Sequence, residues 1–248
     1  MINNLSITGV YLALVLAVAS AAALAVDDGK AGVSGQKAQS SGASQKARAA
    51  YVYVPPKRGA PLARVGGGSR GVNDNLPYIS VITPDHVGFT SLSQPVLYWY
   101  ISDDMKTRFE FALINDDDID PMVEVTSEQE MKAGLNSLNL ADHGVTLEPG
   151  VAYQWSVALV SDVDKRSSDI VSSGQIELLE LTGEQEERLK NTNAEERVMI
   201  YAREGYWYDT FAGLSELIAA DPGNSELRTQ RAALLEQIGL PTVSTSSK

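Results

Sequence analysis

Residues 147–160 read LEPGVAYQWSVALV, and this stretch decides the fold. After its turn the apolar residues fall on every second position, which is the period of a half-buried β-strand. The run Leu-x-Pro-Gly-x-x-Tyr predicts a tyrosine corner, in which a Tyr hydroxyl bonds to the backbone a few residues upstream and pins a β-sandwich. The four residues of this corner are Leu147, Pro149, Gly150 and Tyr153.

Six further runs of alternating apolar residues flank this strand, and each ends at a turn signal. Seven short strands predict an antiparallel β-sandwich of the immunoglobulin or fibronectin type III kind over residues 78–181. The other runs are 78–83, 96–102, 108–115, 122–126, 135–140 and 170–181. The alternation predicts a core of Ile79, Val81, Leu97, Trp99, Ile101, Phe109, Phe111, Leu113, Val123, Val125, Tyr153, Trp155, Val157, Leu159, Ile176 and Leu178.

A helical appendage of about three short helices is predicted over residues 182–240. Helix-start signals stand at Thr182 and Asn193, each followed three residues later by Gln or Glu. Helices are then expected over 207–220 and 225–238. The spacing is similar to a tetratricopeptide hairpin, but one and a half repeats cannot form a solenoid, so we expect these helices to dock on the sandwich or on a partner. Residues 241–248 are expected to be a disordered tail.

The N-terminus has the pattern of an export signal. Residues 5–26 carry no charge, and Ala23 and Ala25 form a small-residue cleavage site, which predicts a signal peptide over residues 1–25. The alternative is an uncleaved membrane anchor, since the run is just long enough to span a bilayer. Either way the rest of the chain is expected to be exported to the periplasm or secreted. Residues 26–50 are rich in Gly, Ala, Ser and Gln and are predicted to be a flexible linker.

Charge is distributed unevenly along the chain. The net charge is −12, but residues 27–73 carry eight Lys/Arg against two Asp/Glu, whereas residues 74–181 carry five against nineteen. Such an acidic body would be repelled by nucleic acid, so nucleic-acid binding is not expected. We expect the basic Pro/Gly-rich segment 51–77 to pack on the body. The absence of cysteine excludes disulfides and thiolate chemistry.

No convergent catalytic set is found in the sequence, so no catalytic residue, cofactor or metal is predicted. Gly66, Gly68 and Gly71 satisfy G-x-G-x-x-G, but no strand precedes them and no helix can open on them. His86 and His143 each follow an Asp at a turn, without a nucleophile elbow nearby.

An acidic stretch offers one candidate metal loop. Asp116, Asp118 and Asp120 have the spacing of the first half of a calcium loop, but Pro121 stands where the glycine belongs and Ser127 where the glutamate belongs. A solvated acidic hairpin is the plainer interpretation, and a weak surface calcium site is the alternative.

Two groups of residues are candidates for partner binding. Arg64 and Arg70 lie on the basic segment, where glycines would present them to an anion; the alternative is that this segment lies against the acidic body of its own chain. The second group is Tyr206, Trp207 and Tyr208. Consecutive helical residues point about 100° apart, so we expect at least one of the three to be exposed or to sit at the junction of sandwich and helices.

Eight stretches resemble a bacterial exported family, the domain of unknown function 928. The resemblance implies that the basic segment belongs to the folded unit, and it implies no catalytic residues. The matching stretches are PPKRGAP (55–61), RVGGGSRG (64–71), TPDHVGFT (83–90), QPVLYWYIS (94–102), LEPGVAYQWSVAL (147–159), RSSDIVSSGQIE (166–177), GYWYDTFAGLSELI (205–218) and LRTQRAALLEQIGL (227–240).

These observations favour a non-catalytic interaction or scaffold module of the cell envelope that binds a protein or polysaccharide partner. Two alternatives remain open. One is an envelope-polymer hydrolase using Asp/Glu carboxylates, which a cleft with two carboxyl groups of raised pKa would favour. The other is a calcium-stiffened adhesin. The sequence does not determine the oligomeric state.

Overall fold

The computed structural model describes residues 50–56, 64, 77–115 and 120–246, and within them the chain is mainly β with its α-helices at the C-terminal end. This confirms the predicted class. The strands are β1 (Ile79–Val81), β2 (Gly88–Thr90), β3 (Val96–Ile101), β4 (Arg108–Asn115), β5 (Val123–Ser127), β6 (Gly134–Asn139), β7 (Ala152–Val160) and β8 (Ile170–Leu178).

The strands form two sheets. One has the order β1-β3-β6 and is antiparallel, and the other has the order β2-β8-β7-β4-β5. In this second sheet, neighbouring strands are antiparallel, except that β2 runs parallel to β8. The prediction of seven strands missed β2, because Gly-Phe-Thr is too short for a period of two to be recognised.

The two sheets share one hydrophobic core. Trp99 of β3 stacks on Phe109 of β4 with ring centroids 5.1 Å apart, and these strands belong to different sheets. Of the core residues predicted from the alternation, all are buried except Val123 and Val125, which are partly buried. Both lie on β5, an edge strand that has a neighbour on one side only.

The stretch that opens β7 forms the corner that its sequence predicts. The Tyr153 hydroxyl accepts a hydrogen bond of 3.0 Å from the Glu148 N–H, five residues upstream. Gly150 has a φ of +75°, which favours glycine, and its N–H donates to the Leu178 carbonyl of β8 at 2.9 Å. Leu147 and Tyr153 are both buried, so the corner is anchored in the core.

The helices are α1 (Gly183–Lys190), α2 (Ala194–Glu204), α3 (Trp207–Ala220), α4 (Ser225–Gln237) and α5 (Pro241–Ser246). Capping boxes open α1 at Thr182 and α2 at Asn193, as the sequence predicts. The expectation of a disordered tail from residue 241 is wrong for its first six residues. They form α5, which packs on α4 and buries Val243 completely, and this burial stabilises a helix too short to persist alone.

Helix α3 docks on the strands, which is the first of the two arrangements that the sequence left open for the helices, docking on the sandwich or on a partner. The Trp207 indole N–H donates to the Ile82 carbonyl at 3.0 Å, just after β1. The Phe211 ring packs edge-on against Tyr98 of β3, with centroids 5.2 Å apart. No helix within the described ranges is long and apolar enough to cross a membrane.

The described N-terminal segment, residues 51–56, lies against α4 and α2. Gln230 accepts a hydrogen bond from the Tyr51 N–H at 2.8 Å, and Gln237 accepts one from the Tyr53 N–H at 3.0 Å. Tyr51 and Tyr53 are buried, whereas Val52 is 53% exposed. The segment therefore alternates like a strand, although its partners are helices.

Candidate functional site

Beyond residue 56, the structure describes two residues of the basic segment, Pro77 and Arg64. Its guanidinium donates to the carbonyls of Thr83 at 2.8 Å and of Ile238 at 3.2 Å, just past the C-terminal end of α4. A cation there is favourable because a helix ends in unsatisfied carbonyls. These contacts agree with the interpretation that Arg64 serves its own chain. Arg70 and the glycine pattern lie outside the described residues.

The three consecutive aromatic residues at the start of α3 are all buried. The exposed fraction is 2% for Tyr206, 0% for Trp207 and 3% for Tyr208. Helical geometry does turn them in different directions, but α3 has neighbours on several sides: Tyr201 of α2 contacts the first ring and Tyr53 the second. They therefore lie at the junction of sheets and helices and offer no surface to a partner in this conformation.

The Tyr208 hydroxyl ties the two parts of the molecule together. It accepts a hydrogen bond of 2.8 Å from the Trp155 indole N–H and donates one of 2.9 Å to the Gln175 carbonyl. It also lies 2.9 Å from Thr83 Oγ1. Burial raises the pKa of this phenol, so it stays protonated. Gly88 makes room for the ring, since a Cβ there would come within 2.7 Å of it.

His86 belongs to a chain of three side chains. Its Nε2 lies 2.9 Å from the Tyr53 hydroxyl and its Nδ1 lies 3.3 Å from an Asp85 carboxylate oxygen. The order Tyr-His-Asp is that of a catalytic triad, but burial raises the pKa of the Tyr53 phenol and so opposes a phenolate nucleophile. His143 is exposed on a short 3₁₀ turn. Among the described residues, neither histidine lies beside a side chain that the geometry would make a nucleophile.

The candidate functional site is a pocket of about 410 Å³ between α2, α3 and the loop that follows β2. Most of its wall is aliphatic or small: Leu92, Ala194, Val198, Ala212, Gly213, Leu217 and Ala220. Its polar lining consists of Arg197, Tyr201, Asp209 and Glu216. The volume and the mainly apolar lining with a few polar groups are typical of ligand sites.

Close approach of the two helices closes the inner part of this pocket. A Cβ at Gly213 would come within 2.8 Å of Val198 Cγ2, so α3 lies against α2 at this glycine. Small side chains elsewhere on the facing surfaces leave the space unfilled. Leu92 lines the pocket and is 50% exposed, so it places an apolar group at the solvent side of the pocket.

Asp209 forms the inner polar wall and is only 4% exposed. The Ser91 N–H donates to both carboxylate oxygens, at 3.2 and 3.0 Å, and the Ser91 hydroxyl donates to one of them. Burial raises the pKa of Asp209 to about 6, although these hydrogen bonds pull it down. The carboxyl can therefore change its charge near neutral pH.

Tyr201 and Arg197 border the pocket on the α2 side. The half-buried Tyr201 hydroxyl shares a hydrogen bond with Ser91, and burial raises its pKa. Arg197 is exposed, and its guanidinium donates to the Thr192 carbonyl at 3.4 Å. Both residues also line a shallower depression of about 350 Å³ bordered by Leu189. The two depressions are therefore adjacent.

Sequence reasoning did not find this pocket. Ser91 and Asp209 stand 118 residues apart, and the sequence shows Asp209 only as an acidic residue in the first turn of a helix, a common position. The sequence signal that marks this place is a few small lining residues, Ala194 on α2 and Ala212, Gly213 and Ala220 on α3. Such residues are also typical of plain helix packing.

No group of three or more His, Asp or Glu suited to a metal ion occurs in the part of the chain that the structure describes. Asp116 and Asp118 of the proposed calcium loop lie outside it, and Asp120 is exposed. The calcium alternative therefore stays untested.

Comparison with known proteins adds a family but no activity. No curated protein matches the chain. A multi-domain immunophilin from Arabidopsis thaliana, known from a crystal structure, is 9% identical, with 78% of this chain and 97% of that chain covered and a TM-score of 0.16. At that score the likeness carries no argument. The family model described as Domain of Unknown Function (DUF928) matches residues 65–247, and the chain therefore belongs to this family.

Proposed function

We propose that the protein is a non-catalytic interaction module of the bacterial cell envelope that binds a protein partner through the pocket between α2 and α3. One observation carries the proposal: an open, mainly aliphatic cavity of about 410 Å³ with the exposed Leu92 beside it. An apolar side chain of a partner would fill this space, and both the side chain and the aliphatic wall of the pocket would then be removed from water.

A protein partner suits the pocket better than a polysaccharide does. The hydroxyl groups around the rim of a sugar ring need several hydrogen-bonding partners, whereas seven of the eleven lining residues are aliphatic or glycine. The polar groups are confined to Asp209, Tyr201, Arg197 and Glu216. Binding of a polysaccharide in place of a protein would therefore contradict the proposal.

Export is part of the proposal and rests on sequence alone. The uncharged run 5–26 and its small-residue cleavage site support a signal peptide, and the basic linker after it supports a tethered or released module. These residues lie outside the described ranges.

The scaffold we propose is an immunoglobulin-type sandwich. Three observations support it: the sheet order β1-β3-β6 parallels strands A-B-E, the order β8-β7-β4-β5 parallels G-F-C-C′, and the tyrosine corner stands at the start of the strand that corresponds to F. The parallel strand β2 is an addition to this scheme. We further propose that α3 and α4 are a tetratricopeptide-like hairpin, since helices of 14 and 13 residues are joined by a short turn.

The test is a variant that fills the pocket. Ala212 lines it, so Ala212→Leu should abolish capture of a protein from envelope extract by the mature chain. Ala219→Leu is the matched control: it makes the same change on the same helix at an exposed position that does not line the pocket, and it should leave capture intact. Capture that survives Ala212→Leu, or capture of a glycan in place of a protein, contradicts the proposal.

A hydrolase is the second candidate, because Asp209 has one property of a general acid. Its pKa of about 6 is close to neutral pH, where a carboxyl group with such a pKa can both donate and accept a proton. A second carboxyl group, that of Glu216, lines the same pocket. Incubation of purified envelope polysaccharide or peptide with the chain decides this. Product release that Asp209→Asn abolishes would favour the enzyme, and no release by the wild-type protein excludes it for those polymers.

A further inference from the structure

We propose that the partner segment that enters the pocket carries a lysine whose ammonium group pairs with the Asp209 carboxylate while its methylene chain lies along the aliphatic wall. This inference rests on the proposed function, since it names the chemistry of the group that the pocket receives.

Asp209 lacks a countercharge among the described residues. Its carboxylate receives hydrogen bonds from Ser91, but it forms no ion pair with a Lys or Arg of the described chain. A buried carboxylate without a cation is costly to ionise, and a cation that arrives with a ligand removes part of that cost. An uncharged ligand that closes the pocket would instead bury the carboxylate further.

The aliphatic wall of the pocket suits the methylene chain of a lysine. Ala194, Val198, Ala212 and Leu217 offer only hydrocarbon to a ligand that reaches towards Asp209. A lysine side chain buries its methylene groups against such a surface and keeps its charge at the tip. A compact inorganic cation would leave the same wall uncovered.

The charges around the entrance of the pocket also favour a cation. Glu216 lines the pocket on α3, and it adds a negative charge beside Asp209. Arg197 is the opposing group on α2, but it is exposed and its guanidinium is bonded to the Thr192 carbonyl. Residues 182–248 carry seven Lys/Arg against eleven Asp/Glu, and the strand region is more acidic still, so the field attracts cations and repels anions.

The first experiment compares hexylammonium, hexanol and hexanoate, which have the same chain length and different charge, by NMR titration of the full chain at pH 7.5. We expect hexylammonium to bind about tenfold more tightly than hexanol, a difference of about 1.4 kcal/mol, because a hydrogen bond between two charged groups is stronger than one with a neutral donor, and we expect hexanoate to bind least. If none of the three shifts the resonances of the pocket, the proposed function fails. If hexanol or hexanoate binds as well as hexylammonium, the pocket stands and the lysine inference is overturned.

The second experiment uses pH and needs no variant. Hexylammonium keeps its charge between pH 5.0 and 7.5, whereas Asp209 becomes mostly protonated at the lower pH. The preference for hexylammonium over hexanol should therefore shrink at pH 5.0, and binding near pH 6 should release a proton. An unchanged preference at the two pH values contradicts the inference.

Variants and a peptide complete the design. Asp209→Asn should remove the preference for hexylammonium and leave hexanol binding in place, while Glu216→Gln, at an exposed position, should reduce the preference only slightly. A short peptide with one lysine should bind more tightly than the same peptide with norleucine, its uncharged analogue. Equal binding of the two peptides, with hexylammonium still preferred, would assign the site to a free amine and overturn the lysine assignment.

Discussion

At the scale of single residues, Asp209 combines two roles that usually occur apart. It fixes the loop after β2 to the first turn of α3 through Ser91, and it also forms the polar wall of a pocket. A buried carboxylate with a structural role alone is expected to form an ion pair with a cationic side chain. Among the described residues, hydrogen bonds alone compensate the charge of Asp209, and this leaves its ionisation sensitive to a charged group that enters the pocket.

Substitution of Asp209 by Asn should change how stability depends on pH. The pKa of Asp209 is about 6 in the folded chain and near 3.8 in the unfolded one, so its contribution is greatest below pH 3.8 and is lost as the pH rises through 6. Relative to Asp209→Asn, the wild-type chain should therefore lose up to about 3 kcal/mol between pH 4 and 7. Urea unfolding at both pH values measures this.

The control is Asp142→Asn, which removes one negative charge by the same change at an exposed position on a 3₁₀ turn and so separates the effect of the buried site from that of net charge. A difference between wild type and Asp209→Asn that stays constant with pH would show that the carboxyl ionises in the fold as it does in the unfolded chain.

At the scale of elements, the structure shows which patterns a sequence carries reliably. The alternation in β3, β4 and β7 predicts their buried faces because a period of two persists over six to nine residues. The capping boxes predict the starts of α1 and α2 because they act within one turn. Strand β2 and helix α5 could not be predicted, since three to six residues are held in place only by neighbours distant in sequence.

The segment of residues 51–56 behaves as an integral element, and one substitution tests this. Tyr53 is buried against Trp207, so Tyr53→Ala should lower the free energy of unfolding by about 3 kcal/mol through the lost contacts and the cavity left behind. Val52→Ala, at the exposed neighbour, should change it by less than about 0.5 kcal/mol. Denaturant unfolding that gives equal, small effects for both would mean that the segment is not docked in solution.

At the scale of the whole molecule, sheets and helices share one core. Trp155 of β7 and Tyr208 of α3 meet through a hydrogen bond of 2.8 Å, and the same cluster of buried side chains includes residues of both sheets and of α2 to α5. The pocket depends on this arrangement, because α3 brings Asp209 to the loop after β2. Its position could not be predicted from sequence, since no local pattern records which loop a helix will meet.

Cooperative unfolding of strands and helices follows from the shared core. Amides of β8 and α3 should exchange hydrogen with the same free energy of opening, and both should respond equally to urea, because both elements contribute side chains to the same buried cluster. Hydrogen exchange followed by mass spectrometry resolves the two elements. An opening free energy for α3 several kcal/mol below that of β8 would show that the helices form a separate unit.

The contacts between residues 51–56 and α4 limit how early this side of the core can fold during synthesis. Tyr51 and Gln230 are 179 residues apart, and Tyr53 and Gln237 are 184 apart. A ribosome makes the first partner of each pair long before the second, so this side of the core cannot close until the last helices have emerged. The part of the core that Tyr51 and Tyr53 cover therefore stays incomplete in the newly made chain until α4 has been made.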